Sequence, residues 1–196
     1  LAGNKKVEVI YNGIDTRRFR PGEALHCERP LRILFVGNPS RRKGFHLLPA
    51  LADALTGGME IAFTTGLRDQ NVQPKHPRLV SLGSVPYSQM HVLYQQGDIL
   101  LFPAYREGFG LCVAEAMSCG LPVISTKCSA IPELVVDGQG GFLVQPGDFP
   151  AMIEKISVLA QDIERRREMG AWNRERAVRL FDRERMANDY RTIFAA

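Results

Sequence analysis

The stretch DILLFPAYREGFGLCVAEAMSCGLPVIST, residues 98–126, decides the fold class of this chain. It begins with an apolar run at 98–103, continues through a glycine-rich turn into a run at 111–120 with a single charge, and ends with PVIST at 122–126. The two outer runs have the uninterrupted apolar character of strands that are buried on both faces of a sheet. The stretch therefore predicts a strand, a helix and a second strand in one α/β unit.

The same alternation continues on both sides of this unit. Further apolar runs predict strands at 31–37, 59–66, 78–83 and 141–146, and helical spacing predicts helices at 45–55, 87–96 and 131–136. Such repeated units predict a Rossmann-like, doubly wound, mainly parallel α/β sheet with helices on both faces. From residue 149 the spacing is helical throughout and includes an apolar stripe of Met186, Tyr190, Ile193 and Phe194. We therefore expect a C-terminal helical tail.

The N-terminal residues follow a different pattern. Residues 7–11 predict a short strand that ends at the turn Asn12-Gly13, and residues 17–30 are polar with two prolines. We expect residues 1–30 to form an interdomain strand and linker, and residues 31–196 to form one domain that includes the helical tail 149–196. The sequence starts without methionine almost directly on the predicted strand, so we expect a fragment of a longer protein.

Composition restricts the class of protein and its partners. With 45% hydrophobic and 23% charged residues in 196, the chain resembles ordinary soluble globular proteins. A net charge of +4 allows an anionic ligand but does not indicate nucleic acid, and no apolar run approaches the ~18 residues of a membrane-spanning helix. The four cysteines show no metal-site spacing, so we interpret them as small core residues in a reducing compartment: Cys27, Cys112, Cys119 and Cys128.

Two predicted strand–helix junctions could hold an anion. In FVGNPSRRKGF (35–45), three adjacent cations precede Gly44, which would let backbone approach a phosphate. On the triplet alone, a solvated basic loop is the simpler interpretation. The absence of the P-loop and G-x-G-x-x-G patterns argues against an ATPase and a dinucleotide site. At the second junction, Gly108 and Gly110 precede a helix whose first amides lack intrahelical partners, an arrangement that can bind an anion. The alternative is that the two glycines only allow a tight turn.

Glu115 is the single charge of the run at 111–120, and burying an unpaired carboxylate is costly. It lies five residues beyond Gly110, or ~7.5 Å along a helix, with its side chain leaning back toward the N-terminus. A diphosphate at the helix end with an attached ribose would satisfy the glycine turn and the carboxylate together. Glu107 would lie ~12 Å from Glu115 if the helix were continuous. The two carboxylates of a hydrolytic pair lie ~5–9.5 Å apart, so this separation weakens a glycosidase interpretation. A surface pair with Arg106 is the alternative for Glu107.

These residues resemble the C-terminal, donor-binding half of GT-B-fold glycosyltransferases of the large retaining family 4, the group 1 glycosyl transferases. The specific signal is E-x7-E, Glu107 to Glu115, with Gly-Phe-Gly inside it. The other matching elements are YNGID (11–15), FVG…RRKGFHLL (35–48), SLGSVP (81–86) and the run from 98 to about 148. These elements occur in the same order as in the family, and the resemblance covers residues 7 to about 148.

The resemblance implies a role for each matching residue. Lys43 and Arg42 would bind the donor diphosphate and stabilise the charge that develops as it leaves, and Glu107 would face the transferred sugar. The backbone of 108–110 would cradle the distal phosphate, Glu115 would hold the ribose hydroxyls, and Val85 would present backbone groups to the base. The implied donor-binding set is Gly37, Arg41, Val85, Gly108, Phe109, Gly110, Leu111 and Glu115.

The resemblance also implies the reaction. A hexose would pass with retention from a nucleoside diphosphate, UDP or GDP in particular, to an acceptor glycan or lipid-linked saccharide in cell-envelope or polysaccharide biosynthesis. No metal and no cofactor are implied, in agreement with the absence of a D-x-D pair. The acceptor would be bound by an N-terminal domain outside this sequence, so we expect nucleotide binding without turnover. We expect a cytoplasmic protein, peripheral on the inner membrane face if the arginine-rich tail contacts anionic lipid rather than solvent.

Two departures from the family pattern affect these assignments. Many relatives carry Gly-Arg after the first strand, but Asn38 follows Gly37 here, so Arg41 or Arg42 must supply that charge. Ser129-Ala130 replaces the frequent Gly-Gly and leaves the donor-sugar contacts open. A GT-B-fold sugar-nucleotide epimerase and a non-catalytic nucleotide-binding module are the alternative functions.

Overall fold

The computed structural model describes residues 7–22, 29–66 and 74–195. The strands are β1 (Leu31–Phe35), β2 (Met59–Phe63), β3 (Leu79–Ser81), β4 (Ile99–Phe102), β5 (Val123–Thr126) and β6 (Gly141–Val144). The helices are α1 (Leu48–Ala54), α2 (Met90–Gln95), α3 (Leu111–Ser118), α4 (Ile131–Leu134), α5 (Phe149–Gln161), α6 (Ile163–Leu180) and α7 (Arg183–Ala195). The predicted helices at 45–55 and 87–96 each begin with a short 3-10 turn, over 45–47 and 87–89.

The six strands form one parallel sheet in the order β3-β2-β1-β4-β5-β6. This confirms the predicted doubly wound fold. The chain winds outward from β1 to β3, returns to place β4 beside β1, and then winds outward on the other side. The strand order therefore reverses between β1 and β4, and ligands of such sheets bind outside the carboxyl ends of the strands at this switch point.

Alternating strand residues divide the core into two layers. Ile33 and Phe35 of β1 face one layer with α1 and α5, whereas Leu34 faces the other layer with α2 and α3. The strands β4, β5 and β6 are buried along their whole length. Their apolar runs were therefore a sound basis for predicting a sheet that is covered on both faces.

Helix α6 is an integral part of the domain. The Asn173 side chain donates to the backbone oxygens of Leu121 (2.8 Å) and Gly140 (2.6 Å), at the amino ends of β5 and β6. Arg174 donates to the backbone oxygens of Phe19 (2.8 Å) and Ser118 (3.0 Å) and so connects the N-terminal segment to the end of α3. Four of the nine arginines in the tail donate to backbone oxygens in this way: Arg166, Arg174, Arg176 and Arg185. The predicted apolar stripe of α7 is exposed at Tyr190, Ile193 and Phe194.

The strand predicted at 7–11 is wrong. This segment pairs with no strand of the sheet, and Ile14 instead forms an isolated bridge with Asp182 at the junction of α6 and α7. The Arg185 side chain also donates to the backbone oxygen of Tyr11. The backbone oxygen of Tyr11 and the backbone of Ile14 thus bond to the helical tail rather than to a strand.

Where the structure describes the cysteines, their burial agrees with the core positions predicted for them, and the reducing compartment stays a prediction. Cys119 and Cys128 are buried, Cys112 is half-buried, and all three are free thiols. Cys27 lies outside the described residues. Burial raises the pKa of the Cys112 and Cys119 thiols to about 12, so both stay protonated at neutral pH. Within the described ranges, no helix combines the length and the apolar character needed to cross a membrane.

Candidate nucleotide site

The loops that follow β1 and β4 meet at the switch point of the sheet. Residues Arg41–Lys43 form a 3-10 turn in which the Ser40 hydroxyl caps the turn by accepting from the Lys43 amide, and Gly44 ends the turn with φ +77°. A Cβ atom at Gly44 would lie 2.1 Å from the backbone oxygen of Pro103. Glycine is therefore required here both for the left-handed backbone and for the contact with the β4 loop.

Polar contacts join the same two loops. The Tyr105 amide donates to the Arg42 backbone oxygen at 2.9 Å, and the Arg42 guanidinium donates to the Arg106 backbone oxygen at 3.2 Å. The His46 ring stacks on Tyr105 with 5.9 Å between centroids. These contacts fix the basic turn against the segment that leads into α3.

Lys43 and Glu107 form an ion pair between the loops. Their side chains are only 13% and 12% exposed, and the Lys43 ammonium lies 4.7 Å from the centroid of the Phe102 ring. The other Glu107 oxygen accepts from the Gly108 amide at 3.0 Å. In the part of the chain that the structure describes, Glu107 pairs with Lys43. The alternative from the sequence analysis, a surface pair of Glu107 with Arg106, is therefore wrong.

A groove of about 490 Å³ opens between these loops. At its end, Gly110 begins α3 with φ +95°, and no side chain caps the helix, so its first amides face the groove without a side-chain acceptor. The groove is lined by Asn12, Val36, Gly37, Asn38, Arg42, Lys43, Glu107, Phe109, Gly110, Leu111 and Cys112. A cationic side chain beside an open helix N-terminus is a suitable arrangement for an anion.

Not every predicted site residue lines this groove. The structure brings Gly37, Arg42, Lys43, Glu107 and the segment 109–111 together there. Outside the lining are Arg41, Val85, Gly108 and Glu115. Burial lowers the pKa of the His46 imidazole, and the charge of Arg41 lowers it further. Four lining residues were not among the predicted site residues: Asn12, Val36, Asn38 and Cys112. Each is next to or near a residue that the sequence analysis did assign to the site or to a matching motif.

A family model described as Glycosyl transferases group 1 matches residues 30–162. The chain belongs to the glycosyl transferase group 1 family. N-acetyl-alpha-D-glucosaminyl L-malate synthase of Bacillus anthracis is 35% identical to it over 209 residues, which covers 97% of this chain and 54% of that protein.

Solved structures show the same fold as this group 1 domain. Sucrose-phosphate synthase from Thermosynechococcus elongatus has a TM-score of 0.85 at 28% identity, covering 96% of this chain and 53% of that one. Anabaena Alr3699/HepE, crystallised with UDP and glucose, has a TM-score of 0.83 at 20% identity. The match covers 96% of this chain and 56% of the HepE chain. At that identity, the likeness to HepE supports the fold alone. The group 1 chain thus spans about half the length of the relatives it matches.

Glu115 of this group 1 domain is buried, with 6% of its surface exposed. Its carboxylate accepts a 2.9 Å hydrogen bond from the hydroxyl of Tyr94, a fully buried residue of α2. Burial raises the pKa of Glu115 to about 7, although hydrogen bonds from Tyr94 and Tyr87 act in the opposite direction. Burial also raises the pKa of Tyr94 well above its usual value, so this hydroxyl remains a donor. The lone carboxylate of the apolar helix therefore has a partner that the sequence analysis missed.

Ser129 is a second residue whose position the structure clarifies. It has φ +46°, the left-handed conformation that favours glycine. Its hydroxyl accepts a 3.3 Å hydrogen bond from the Glu107 amide. Ser129 thus supports the backbone of the loop that carries Glu107.

A larger cavity, of about 670 Å³, lies between the turn before β6 and the first half of α6. Its charged lining residues are Asp162, Glu164, Glu168 and one cation, Arg165. An excess of carboxylates disfavours a diphosphate. Of these two cavities, the groove at the switch point is therefore the better candidate for a nucleotide.

The buried Glu115 carboxylate should make the stability of the domain depend on pH. Because its pKa is raised from 4.5 to about 7, the folded state binds more protons than the unfolded state in this interval. Its contribution is therefore fully present below pH 4.5 and is lost as pH rises through 7. Relative to Glu115→Gln, we expect wild type to lose roughly 2–3 kcal/mol between pH 4.5 and pH 8.

Urea unfolding of both proteins at half-unit pH intervals measures this difference. The Gln variant keeps the side-chain volume and an acceptor for Tyr94, and all other titrating groups are common to both proteins. A stability difference that is constant across the interval would show that the carboxylate is not held in an environment that favours its neutral form.

Proposed function

We propose that this chain is the nucleotide-sugar-binding domain of a retaining glycosyltransferase. The full-length enzyme would transfer a hexose from a UDP- or GDP-linked donor to a saccharide or lipid-linked saccharide in cell-envelope or polysaccharide biosynthesis. The observation that carries the proposal is the groove at the switch point, where Lys43 and the uncapped N-terminus of α3 face the same space. The UDP bound by HepE, a protein of the same fold, supports the nucleotide assignment.

In this proposal, Lys43 exchanges its partner when the donor binds. In the nucleotide-free domain its charge is neutralised by Glu107. A diphosphate against the α3 N-terminus would offer Lys43 stronger, doubly charged acceptors, so that Glu107 is released toward the transferred sugar. Lys43 and Arg42 then stabilise the negative charge that develops on the leaving diphosphate, and no metal is required for that role.

Glu115 would accept hydrogen bonds from the ribose hydroxyls, while the Tyr94 hydroxyl donates a hydrogen bond to the same carboxylate. Glu115 lies on the same helix as the anion-binding end, but it is not among the residues that line the groove. Because the pKa of Glu115 is about 7, its full acceptor strength is available above neutral pH. Nucleotide binding is therefore best measured at pH 8.

Substitution of Glu115 by alanine should weaken UDP binding about tenfold or more at pH 8, since a hydrogen bond to a charged group is worth roughly 1.5–3 kcal/mol. Binding of pyrophosphate, which has no ribose, should be unchanged. Isothermal titration of both ligands into wild type and variant measures the two effects. Equal losses for UDP and pyrophosphate would remove the ribose role of Glu115.

The function itself is tested by titrating UDP, GDP and ADP into the chain. We expect one nucleoside diphosphate to bind in preference to the others, which also identifies the base. Because the chain spans about half the length of its relatives, we propose that the remaining part of the protein binds the acceptor and that the chain alone does not turn over. No binding of any of the three nucleotides would contradict the donor-site assignment.

A further inference from the structure

Hydroxyl groups of β5 bind the backbone of the loop that follows β4. The Ser125 hydroxyl donates to the backbone oxygen of Phe102 at 2.7 Å, and the Thr126 hydroxyl donates to the backbone oxygen of Ala104. Both hydroxyl side chains are fully buried. The first part of the β4 loop is therefore held against β5 by hydrogen bonds that are shielded from water.

Ser129 adds a third contact of this kind farther along the same two loops. Its hydroxyl accepts a 3.3 Å hydrogen bond from the Glu107 amide. The turn around Ser129 is closed by two backbone hydrogen bonds, from the Cys128 amide to the Thr126 oxygen and from the Ile131 amide to the Cys128 oxygen. Ser129 therefore offers the Glu107 backbone an acceptor in a fixed position, although the residue itself is exposed.

The backbone of Ser129 has an unfavourable conformation. Within the described ranges, it is the one residue other than glycine with a positive φ, at +46°. A side chain in this conformation costs free energy that glycine avoids, and such strain is concentrated at functional positions. The position should thus be at least as stable with glycine, and what the serine adds is the hydrogen bond to the Glu107 amide.

This hydrogen bond acts on the residue that competes for Lys43. The Glu107 carboxylate pairs with Lys43 in the groove, so a diphosphate that binds Lys43 has to displace it. How far the carboxylate can then withdraw is limited by its backbone, which Ser129 holds. A carboxylate that stays near the phosphates repels them.

We infer that Ser129 is a positioning residue that keeps Glu107 in the groove and thereby lowers the affinity of the domain for a free nucleoside diphosphate. This inference rests on the proposed function, in which Lys43 binds the donor diphosphate. A terminal phosphate carries more negative charge than a phosphate that is esterified to a sugar, so the retained carboxylate disfavours the released nucleotide more than the nucleotide sugar. Ser129 does not line the groove and acts through Glu107.

Two substitutions of Ser129 should change nucleotide affinity in the same direction but stability in different directions. Ser129→Gly removes both the hydroxyl and the backbone strain, so its Tm should be equal to or higher than that of wild type. Ser129→Ala removes the hydroxyl alone, so its Tm should not rise. Both variants should bind the nucleoside diphosphate about threefold more tightly, a typical coupling between neighbouring groups. A merely structural role would instead make affinity follow stability.

Combination with Glu107→Gln tests whether the effect passes through the carboxylate. Glu107→Gln alone should strengthen nucleoside diphosphate binding about tenfold, because it removes the competing charge. In the Ser129→Gly protein, the same substitution should add only about threefold, since the carboxylate is no longer held in place. Separate effects that multiply to about thirtyfold, or no effect of Glu107→Gln, would overturn the inference.

The experiment is isothermal titration at pH 8 of the tightest binder among UDP, GDP and ADP. The proteins are wild type, Ser129→Gly, Ser129→Ala, Glu107→Gln and the double variant. Hydrogen exchange of the Glu107 amide, measured by NMR, gives a readout that needs no nucleotide: it should be faster in both Ser129 variants. Unchanged exchange, or nucleotide affinity equal to or lower than wild type in both Ser129 variants, would overturn the inference.

Failure of this inference can be distinguished from failure of the proposed function. If wild type binds none of the three nucleotides, the donor site itself is wrong. If wild type binds a nucleotide and Lys43→Ala weakens that binding, but neither Ser129 variant strengthens it, the donor site stands and the positioning role of Ser129 is rejected.

Discussion

Substitution of Lys43 by alanine is expected to weaken nucleoside diphosphate binding roughly 100-fold. A hydrogen bond to a charged group contributes about 1.5–3 kcal/mol. The substitution also leaves Glu107 in the groove without its ion-pair partner, and the unpaired carboxylate would repel the incoming diphosphate. The two effects act in the same direction, so the loss should exceed that of an ordinary phosphate contact. Isothermal titration at pH 8 measures it.

Lys155 provides a matched control for Lys43. It also lies over a phenyl ring, 5.3 Å from the centroid of Phe142, and also pairs with a glutamate, Glu154, but it is on α5 and does not line the groove. Lys155→Ala should therefore leave nucleotide affinity unchanged. The double variant Lys43→Ala/Glu107→Gln should recover part of the loss, since it removes the repulsive charge. A Lys43→Ala affinity within about threefold of wild type would contradict the assignment.

Substitution of Gly44 by alanine should destabilise the domain by about 2–5 kcal/mol. The left-handed backbone costs an ordinary residue about 1–2 kcal/mol, and forcing a methyl group against the Pro103 oxygen adds roughly 1–3 kcal/mol of overpacking. Relief of the clash requires the β1 and β4 loops to separate, which would also pull Lys43 away from Glu107. Both unfolding free energy and nucleotide affinity should therefore fall, as urea unfolding and calorimetry would show.

Gly57 separates the two contributions to this effect. It has a similar backbone angle, φ +64°, but a Cβ atom there would have nothing within 4 Å. Gly57→Ala should thus report the backbone cost alone, without any loss of nucleotide binding. If the two variants were equally stable, the close contact between the loops would not exist in solution.

The parts of the fold that the sequence predicted are those whose signal is local. The runs at 31–35 and 99–102 are apolar at every position except Arg32, and burial on both faces of a parallel sheet requires this composition. The strand predicted at 7–11 had a comparable local pattern. It failed because a strand also needs a neighbour, and the backbone oxygen of Tyr11 instead accepts from Arg185, 174 positions away. The next bridge along the chain, at Ile14, is likewise to the helical tail, at Asp182.

The candidate site was predictable in its residue types but not in its pairings. The basic triplet and the Gly-Phe-Gly turn are visible in the sequence, and the fold brings both to the switch point. The Lys43–Glu107 ion pair spans 64 positions and depends on β1 and β4 being neighbours. Tyr94 was placed in the predicted helix at 87–96, and its role as donor to Glu115 follows only from the packing of α2 on α3.

The central claim, a nucleoside diphosphate in the groove between the β1 and β4 loops, is tested most directly by a crystal structure of the chain with UDP. We expect the phosphates between the Lys43 ammonium and the first amides of α3, with the ribose within hydrogen-bonding distance of Glu115. UDP bound in the larger cavity beside the first half of α6, or anywhere else without contact to Lys43 and the α3 N-terminus, would contradict the account.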